Sequence, residues 1–212
     1  MIAKILTVGP LAENSIIIYD EESKDCVIVD PGAEGDRILK EVESLNVKAI
    51  IATHGHLDHI GQVGFLKEKL KVPFYMNQKD EFLINNDIFP GFAFMLKATK
   101  CPPPDYSIKE GDVLKFGTLE FSVIDTPGHT PGSVCFYNQK EKMLISGDTL
   151  FAGSVGRVDL PGGNGQDMDK SLKKLMELPE DTVVYPGHGG KTTIGREKRT
   201  NPFITGVFRL KW

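Results

Sequence analysis

The chain has 212 residues, of which 40% are hydrophobic and 25% charged, and its formal net charge is −4. This composition excludes general disorder, because the apolar fraction is high and the net charge is small. The acidic balance argues against a nucleic-acid-binding protein, and no apolar run approaches the roughly 20 residues of a membrane span. We therefore predict one domain over residues 1–212 with no nucleic-acid or membrane partner, and the oligomeric state stays open.

Three cysteines, Cys26, Cys101 and Cys135, are scattered along the chain. Their odd number and wide spacing are not those of a disulfide framework, and this usage is typical of a reducing compartment. The N-terminal segment Met1–Pro10 lacks the apolar run and the small-residue cleavage site of a signal peptide. We therefore predict a cytoplasmic protein.

The first part of the chain predicts strands interspersed with helices. Short apolar runs rich in β-branched residues, bounded by turn residues, indicate strands. Apolar residues at a 3.6-residue period, such as Ile38, Val42 and Leu45, indicate helices. The strands predicted here are Ile2–Val8, Ser15–Tyr19, Cys26–Val29, Val47–Ala52 and Phe74–Met76, and the helices are Gly35–Leu45, Ile60–Leu70 and Gln78–Ile84.

The second part begins with Asn85–Tyr106, which has no apolar periodicity and contains several aromatic residues and prolines. This segment is either a lid over a site, as long loops often are, or packed structure between elements. One helix is indicated by Met168, Leu172 and Leu175, and the C-terminal segment Ile194–Trp212 is ambiguous. The predicted strands are Val113–Phe116, Leu119–Asp125, Ser133–Tyr137, Met143–Ser146 and Thr182–Tyr185.

Both parts repeat one plan. In the first, a strand ends at Asp30, a helix follows, and the next strand ends at His54; in the second, the corresponding residues are Asp148 and His188. This repetition indicates two similar β/α halves with a site between them. Because the strands bunch together instead of alternating strictly with helices, we predict an α+β fold of two packed sheets with helices outside.

The five histidines all lie in segments that follow predicted strands. Three occur in Thr53-His-Gly-His-Leu-Asp-His59, and His129 and His188 each follow Pro-Gly. A lone histidine is usually a structural, hydrogen-bonded residue. Five in such positions, together with Asp58 and Asp148, instead indicate metal ligands.

The spacing predicts two metal ions. Side chains at i and i+2 of an extended segment point the same way, so His54 and His56 can bind one ion. Asp58 and His59 lie where the chain turns into a helix, and they can point toward a second ion. The predicted groups are a first triad of His54, His56 and His129, a second triad of Asp58, His59 and His188, and Asp148 bridging the two ions.

Imidazole and carboxylate donors predict Zn²⁺, with Fe or Mn as alternatives. Two divalent ions, two aspartates and one bridging hydroxide leave about +1 in the site when the histidines are neutral, as ligation requires. Such a site favours developing negative charge. We therefore predict a small anionic substrate.

These seven donors resemble the ligand pattern of the metallo-β-lactamase superfamily, and the resemblance spans essentially the whole chain. It implies a four-layer αββα sandwich of two mixed sheets, with the site at the sheet edges and the same two triads around Asp148. Asp30, in the segment Val-Asp-Pro-Gly, matches an acidic position that supports the metal shell in this family. The alternative is a turn-forming Asp-Pro-Gly.

Two further stretches, Gly153–Gly163 and Arg199–Phe203, resemble the short, single-domain branch of glyoxalase II-type hydrolases. The resemblance implies hydrolysis of an acyl thioester, such as a hydroxyacylglutathione, by a metal-bound hydroxide. Because the histidines are committed to metal, we expect Asp58 or a water to handle protons. The alternatives are an iron-dependent persulfide dioxygenase of the same superfamily and a non-catalytic metal-binding relative.

Three cations are candidates for supporting or substrate-binding roles. Arg157 either contacts substrate or pairs with Asp159 to hold its loop. Lys191 and Arg196 belong to a short basic cluster just beyond His188, which either binds a substrate carboxylate or is a solvated helix face. The acyl group and the thiol carrier of the substrate stay open.

Overall fold

The computed structural model describes residues 1–84, 86 and 90–208. Its strands form two six-stranded sheets and a two-stranded ribbon. In the first sheet, neighbouring strands follow the order of the chain. These strands are β1 (Ile2–Val8), β2 (Glu13–Tyr19), β3 (Asp25–Val29), β4 (Asn46–Ile51), β5 (Phe74–Met76) and β6 (Tyr106–Ser107).

The second sheet has the spatial order β14-β13-β10-β9-β8-β7. Its strands are β7 (Val113–Phe116), β8 (Leu119–Asp125), β9 (Val134–Asn138), β10 (Met143–Gly147), β13 (Val183–Pro186) and β14 (Thr192–Thr193). The ribbon joins β11 (Leu150–Phe151) to β12 (Ser154–Val155).

Six α-helices and one 3-10 helix complete the described elements. The α-helices are α1 (Gly35–Glu41), α2 (Leu57–Ile60), α3 (Val63–Leu70), α4 (Phe92–Met95), α5 (Gly165–Leu175) and α6 (Ile194–Thr200), and the 3-10 helix is Gln78–Leu83. None of the helices in the described ranges has the length and apolar character that a membrane crossing needs.

Both sheets are mixed. In the first, β3, β4, β5 and β6 run parallel, whereas β1, β2 and β3 pair antiparallel. In the second, β10 and β13 are parallel and the other pairs are antiparallel. The predicted plan of two β/α halves is confirmed, because each half contains a parallel pair joined through a helix: β3 and β4 through α1, and β10 and β13 through α5.

The core has three apolar layers between four layers of secondary structure. Successive side chains of a strand point to opposite faces, so Ile16 and Ile18 pack between the sheets while Ile17 packs on the outer face under helix residues such as Ile38. On the far side, Leu172 of α5 packs against the outer face of the second sheet. These layers confirm the predicted αββα sandwich.

Helix boundaries differ from prediction where backbone groups bond to other segments. The predicted helix Ile60–Leu70 is two helices, because the Gln62 N–H donates to the Pro31 carbonyl at 2.8 Å and so leaves the helical ladder. The predicted helix Gly35–Leu45 ends at Glu41 and continues as turns. The ambiguous C-terminal segment contains α6, and its last residues, 209–212, lie outside the described residues.

The fold brings four strand ends to one edge. Val29 is level with Ile51 across the parallel pair of the first sheet, and Gly147 is level with Pro186 across that of the second. The Asn14 side chain joins the two sheets there, since its Nδ2 donates to the carbonyls of Pro186 at 3.0 Å and of Gly189 at 2.8 Å. The segments that follow these strand ends therefore face one another.

Candidate metal centre

All seven predicted donors come together at this edge. Within each of the two triads, the ligand-type atoms lie within 4.8 Å of one another. Asp148 joins them, since it forms a third group with His54 and His59 at the same spacing. The assignment of these side chains as metal ligands stays a prediction, but the structure provides the juxtaposition that this prediction requires.

Four of the histidines are held through Nδ1, which directs Nε2 toward the cluster. A partner on one ring nitrogen sets the ring orientation and the tautomer that a metal ligand needs. The partners are Thr53 Oγ1 for His54 (3.1 Å), Asp30 Oδ2 for His59 (3.0 Å), the Arg157 carbonyl for His129 (2.7 Å) and the Leu11 carbonyl for His188 (3.1 Å). His56 differs, because its Nδ1 faces inward and lies 2.9 Å from Nε2 of His129.

Asp148 lies between the triads. Its Oδ2 is 3.6 Å from Nε2 of His129 and 3.6 Å from Nε2 of His188, and its Oδ1 is 3.4 Å from Nε2 of His59. One carboxylate thus reaches histidines of both triads, which is the position that a bridging ligand occupies.

Buried donor atoms in the cluster have no hydrogen-bond partner among the described residues. They are Nε2 of His54, Nε2 of His59 and Oδ1 of Asp148. Buried polar atoms are normally paired, so a group of unpaired ones in contact indicates a missing electrophilic partner. Ring nitrogens and carboxylate oxygens are the donors that Zn²⁺, Fe and Mn accept, so the residues fit divalent metal ions.

Burial and neighbouring charges shift the pKa values in opposite directions across the cluster. Burial lowers the pKa of His54 far below 6.5 and, together with His129, lowers the pKa of His56 to about 3. Burial alone would also lower the pKa of His59, but the carboxylates of Asp148, Asp58 and Asp30 together outweigh it and raise that pKa. Burial alone would raise the pKa of Asp58, but His59, His188 and His56 together outweigh it and lower that pKa.

Asp30 supports the cluster directly. Its carboxylate accepts hydrogen bonds from the Thr53 N–H at 2.7 Å, from Thr53 Oγ1 at 2.6 Å and from His59 Nδ1 at 3.0 Å. Its backbone also has a positive φ of 49°, as in a turn. Of the two interpretations of this residue, the contact with His59 favours the supporting role over a turn former alone.

Glu13 is a component of the site that the sequence analysis missed. Its side chain is 2% exposed, its Oε1 lies 4.0 Å from Nδ1 of His59, and both carboxylate oxygens lack a hydrogen-bond partner in the described part of the chain. Burial raises the pKa of Glu13 well above 4.5. The one available signal was a charged residue shortly before the apolar run Ile16–Tyr19, separated from it by Asn14 and Ser15.

Glu13 and Asp30 change the predicted charge of the centre. The count of about +1 included only Asp58 and Asp148. With Glu13 and Asp30 included, four carboxylates, one hydroxide and two divalent ions give a net charge of about −1. The net charge is about 0 when Glu13 keeps its proton. The centre itself therefore supplies less attraction for anions than the sequence analysis expected.

A cavity of about 170 Å³ opens onto the cluster. Its walls include Leu11, Leu57, Phe92 and Leu160, and its remaining lining residues are donors of the cluster, Asn86 and Arg157. Outside the donor set, Arg157 is the one ionisable side chain among the described lining residues. Its guanidinium pairs with Asp159 through two contacts, of 2.7 and 2.8 Å.

The other predicted cations are not among the residues that line the cavity. Lys191 Nζ lies 5.2 Å from the centroid of the Tyr185 ring, and Arg196 is exposed on α6. The segment Asn85–Tyr106, for which a lid and packed structure were the two alternatives, contributes Asn86 and Phe92 to the lining, while its residues 85 and 87–89 lie outside the described residues.

Comparisons with known proteins agree with this geometry. A family model described as the metallo-beta-lactamase superfamily matches residues 8–188. Hydroxyacylglutathione hydrolase GloC of Haemophilus influenzae is 38% identical over 206 residues, which are 95% of this chain and 97% of that protein. The BLEG-1 B3 metallo-beta-lactamase has a crystal structure that matches with a TM-score of 0.89 and 38% identity, covering 97% of this chain and 100% of that one. A di-iron-bound structure of TTHA1623 matches with a TM-score of 0.85 and 42% identity, covering 94% and 99%.

Proposed function

The chain belongs to the metallo-beta-lactamase superfamily and carries the donor set of a metal-dependent hydrolase, and we propose that it cleaves acyl thioesters of the hydroxyacylglutathione kind. The likeness to GloC supports this substrate class. The observation that carries the proposal is the lining of the cavity, which combines apolar walls with a cluster of metal donors.

The cavity favours a thiolate leaving group. Outside the donor set, the described lining holds no side chain that could serve as a general acid, because Arg157 keeps its proton and is paired with Asp159. A leaving group must then depart without a proton from a dedicated acid. A thiol, with a pKa near roughly 8.5, leaves readily as the thiolate, whereas an alcohol or an amine does not.

The two triads would each hold one metal, with Asp148 between them, and we propose zinc, with iron or manganese as alternatives. The di-iron form of the TTHA1623 relative supports iron as an occupant of such a site. When bound, such cations act as Lewis acids, which lower the pKa of water to roughly 7 and polarise a carbonyl.

The protein's own groups position the substrate and manage protons. Asp58 lines the cavity, and its Oδ2 lies 3.5 Å from Nε2 of His188, so it is a carboxylate placed to accept a proton and pass it on. The side chains of Leu57 and Leu160 exclude water from the acyl group. The Arg157 carbonyl orients His129, and the pairing of its side chain with Asp159 holds that loop in place.

We further propose a small anionic thioester as substrate, with the acyl group and sulfur inside the cavity and the carrier outside. A volume of about 170 Å³ suits the acyl part and is too small to enclose a whole tripeptide carrier. A cytoplasmic location, with no nucleic-acid or membrane partner, completes the proposal and is supported by three cysteines that form no disulfide.

The test combines metal analysis with turnover. Purified protein loaded with Zn²⁺ or Fe²⁺ is assayed with lactoylglutathione and with an oxygen ester of the same acyl group. We expect two ions per chain and preferential thioester hydrolysis. His56→Ala and Asp148→Ala should lose both metal and activity, while the exposed control Lys115→Ala retains both.

Three results would overturn the proposal. One iron per chain with oxygen uptake on a persulfide would favour the dioxygenase alternative. Hydrolysis of β-lactams without thioester turnover would place the chain with the lactamases. A metal-loaded protein inert toward all these substrates would indicate a non-catalytic relative.

A further inference from the structure

Asp80 is a buried carboxylate outside the donor set. It lies in the 3-10 helix Gln78–Leu83, and its side chain is 0% exposed. A charge in such a place requires strong partners, because an unpaired ionised group is very costly to bury. The hydrogen-bond partners of the Asp80 carboxylate are all in the two loops that carry the first triad.

Three hydrogen bonds join Asp80 to these loops. Its Oδ2 accepts from the Gly55 N–H at 2.9 Å and from Thr130 Oγ1 at 2.6 Å, and its Oδ1 accepts from the Gly132 N–H at 2.6 Å. Gly55 separates the first two histidines of the triad, and Thr130 directly follows the third. One carboxylate therefore connects two distant loops, of which Gly55 lies 25 residues before Asp80 and Thr130 lies 50 residues after it.

Both glycines allow the close approach. A Cβ on Gly55 would lie 2.8 Å from the Asp80 carbonyl oxygen, and a Cβ on Gly132 would lie 2.6 Å from Asp80 Cγ. Both distances are shorter than carbon atoms tolerate, so a side chain at either position would separate the loop from the carboxylate. The loops are thus packed against Asp80 as well as hydrogen-bonded to it.

We propose that Asp80 is a positioning residue that holds the first triad in its binding geometry. It is hydrogen-bonded to the backbone between His54 and His56 and to the turn after His129. It therefore sets the distance between the His54–His56 pair and His129. Asp30 has the corresponding contacts at the second triad, through Thr53 and His59. The inference rests on the proposed metal site and adds that the first triad has a second carboxylate support, which does not contact the second triad.

The geometry requires a carboxylate. Two N–H groups and one hydroxyl donate to Asp80, and an asparagine has only one oxygen to accept them. In Asp80→Asn, the amide NH₂ must face at least one donor, which displaces a loop. Loss of a group that orients metal ligands typically weakens metal binding by about 10- to 100-fold.

The experiment measures binding of Co²⁺ to metal-free protein by calorimetry and by visible absorption. We expect the wild-type chain to bind two ions, and Asp80→Asn to bind one of them about 10- to 100-fold more weakly. The double variant with Asp80→Asn and His188→Ala should bind both ions weakly, because each triad has then lost a contributor. The double variant with Asp80→Asn and His56→Ala should bind Co²⁺ much as His56→Ala alone does, because both changes affect the same triad. Asp105→Asn is the matched control, since that carboxylate also accepts a backbone N–H, from Phe74 at 2.7 Å, but outside the site.

A second pair of variants covers the case in which Asp80→Asn does not fold. Thr130→Ser keeps the hydroxyl that donates to Asp80 and should bind both ions as the wild type does, whereas Thr130→Val should weaken one. The proposal is overturned if Asp80→Asn or Thr130→Val binds both ions with wild-type affinity, or if both sites weaken equally. A wild-type chain that binds no Co²⁺ would instead refute the proposed metal site itself.

Discussion

Nδ1 of His59 lies 3.0 Å from Oδ2 of Asp30, in a buried contact that joins helix α2 to the end of strand β3. The same carboxylate accepts both the N–H and the hydroxyl of Thr53, the residue before the first histidine of the cluster. Asp30 therefore orients a ring of the second triad and anchors the segment that enters the first. Such outer contacts decide how well a ligand set is preorganised for a metal.

Asp30→Asn tests this arrangement. An asparagine cannot accept all three donors, so we expect the ion of the second triad to bind about 10- to 100-fold more weakly. Equilibrium dialysis with Zn²⁺ measures the effect. Asp112→Asn, whose carboxylate accepts an exposed backbone N–H from Lys109, is the control and should bind metal normally. Unchanged affinity in Asp30→Asn would contradict the supporting role.

Glu13→Gln should alter how stability depends on pH. Because burial raises the pKa of Glu13 above 4.5, the folded metal-free protein holds this proton more tightly than the unfolded chain does. The wild type therefore loses stability as the pH rises above about 4.5 and through the raised pKa, and the glutamine variant lacks this loss. Thermal unfolding of both metal-free proteins from about pH 5 to pH 8 should show a difference in Tm that grows with pH in favour of Glu13→Gln. The exposed Glu120→Gln should show no such trend, and a constant difference for Glu13→Gln would count against the shift.

The three cysteines should resist thiol reagents in the folded protein. Cys26, Cys101 and Cys135 are buried, and burial raises the pKa of each thiol to about 12. Since the thiolate is the reactive form, a disulfide reagent at about pH 8 should modify none of them quickly. In guanidinium chloride, three thiols per chain should react. Rapid modification of the native protein, or fewer than three thiols after denaturation, would contradict this picture.

The cavity predicts that the acyl group matters more than the carrier. Leu160→Ala removes three carbon atoms from the apolar wall, which corresponds to about 2 kcal/mol or about 30-fold in kcat/KM for a substrate whose acyl chain packs there. Thioesters of one long acyl group on glutathione, on coenzyme A and on a short thiol should be affected alike. An acetyl thioester, too short to contact this wall, is the internal control. A loss that depends on the carrier instead would show that the carrier enters the cavity.

Packing between the sheets should dominate stability. Phe136 is 0% exposed in the layer between the two sheets, so Phe136→Ala leaves a cavity and should lower the free energy of unfolding by about 3–5 kcal/mol. Val113→Ala, half exposed on the edge strand β7 of the same sheet, should change it by less than about 1 kcal/mol. Urea unfolding of the metal-free proteins measures both, and similar values for the two variants would be inconsistent with this core.

Local sequence patterns predicted the strands well. The observed bounds of Ile2–Val8, Phe74–Met76 and Leu119–Asp125 equal the predicted ones. Apolar and β-branched runs carry this information because strand burial depends on residues that are neighbours in the chain. The helix predicted over Ile60–Leu70 is interrupted because Gln62 bonds to Pro31, a contact that no local pattern contains.

The sequence by itself predicted which seven side chains meet at the sheet edge, because they lie in four segments that each follow the end of a strand. Only the tertiary structure decided which other carboxylates surround them. Glu13 and Asp30 both lie near Nδ1 of His59, and Asp80 is hydrogen-bonded between the loops of the first triad. Periodicity reports which face of an element is buried, but it carries no information on which distant segment packs against that face. A buried carboxylate and its donors can be matched only when the folded chain has brought them within hydrogen-bond distance.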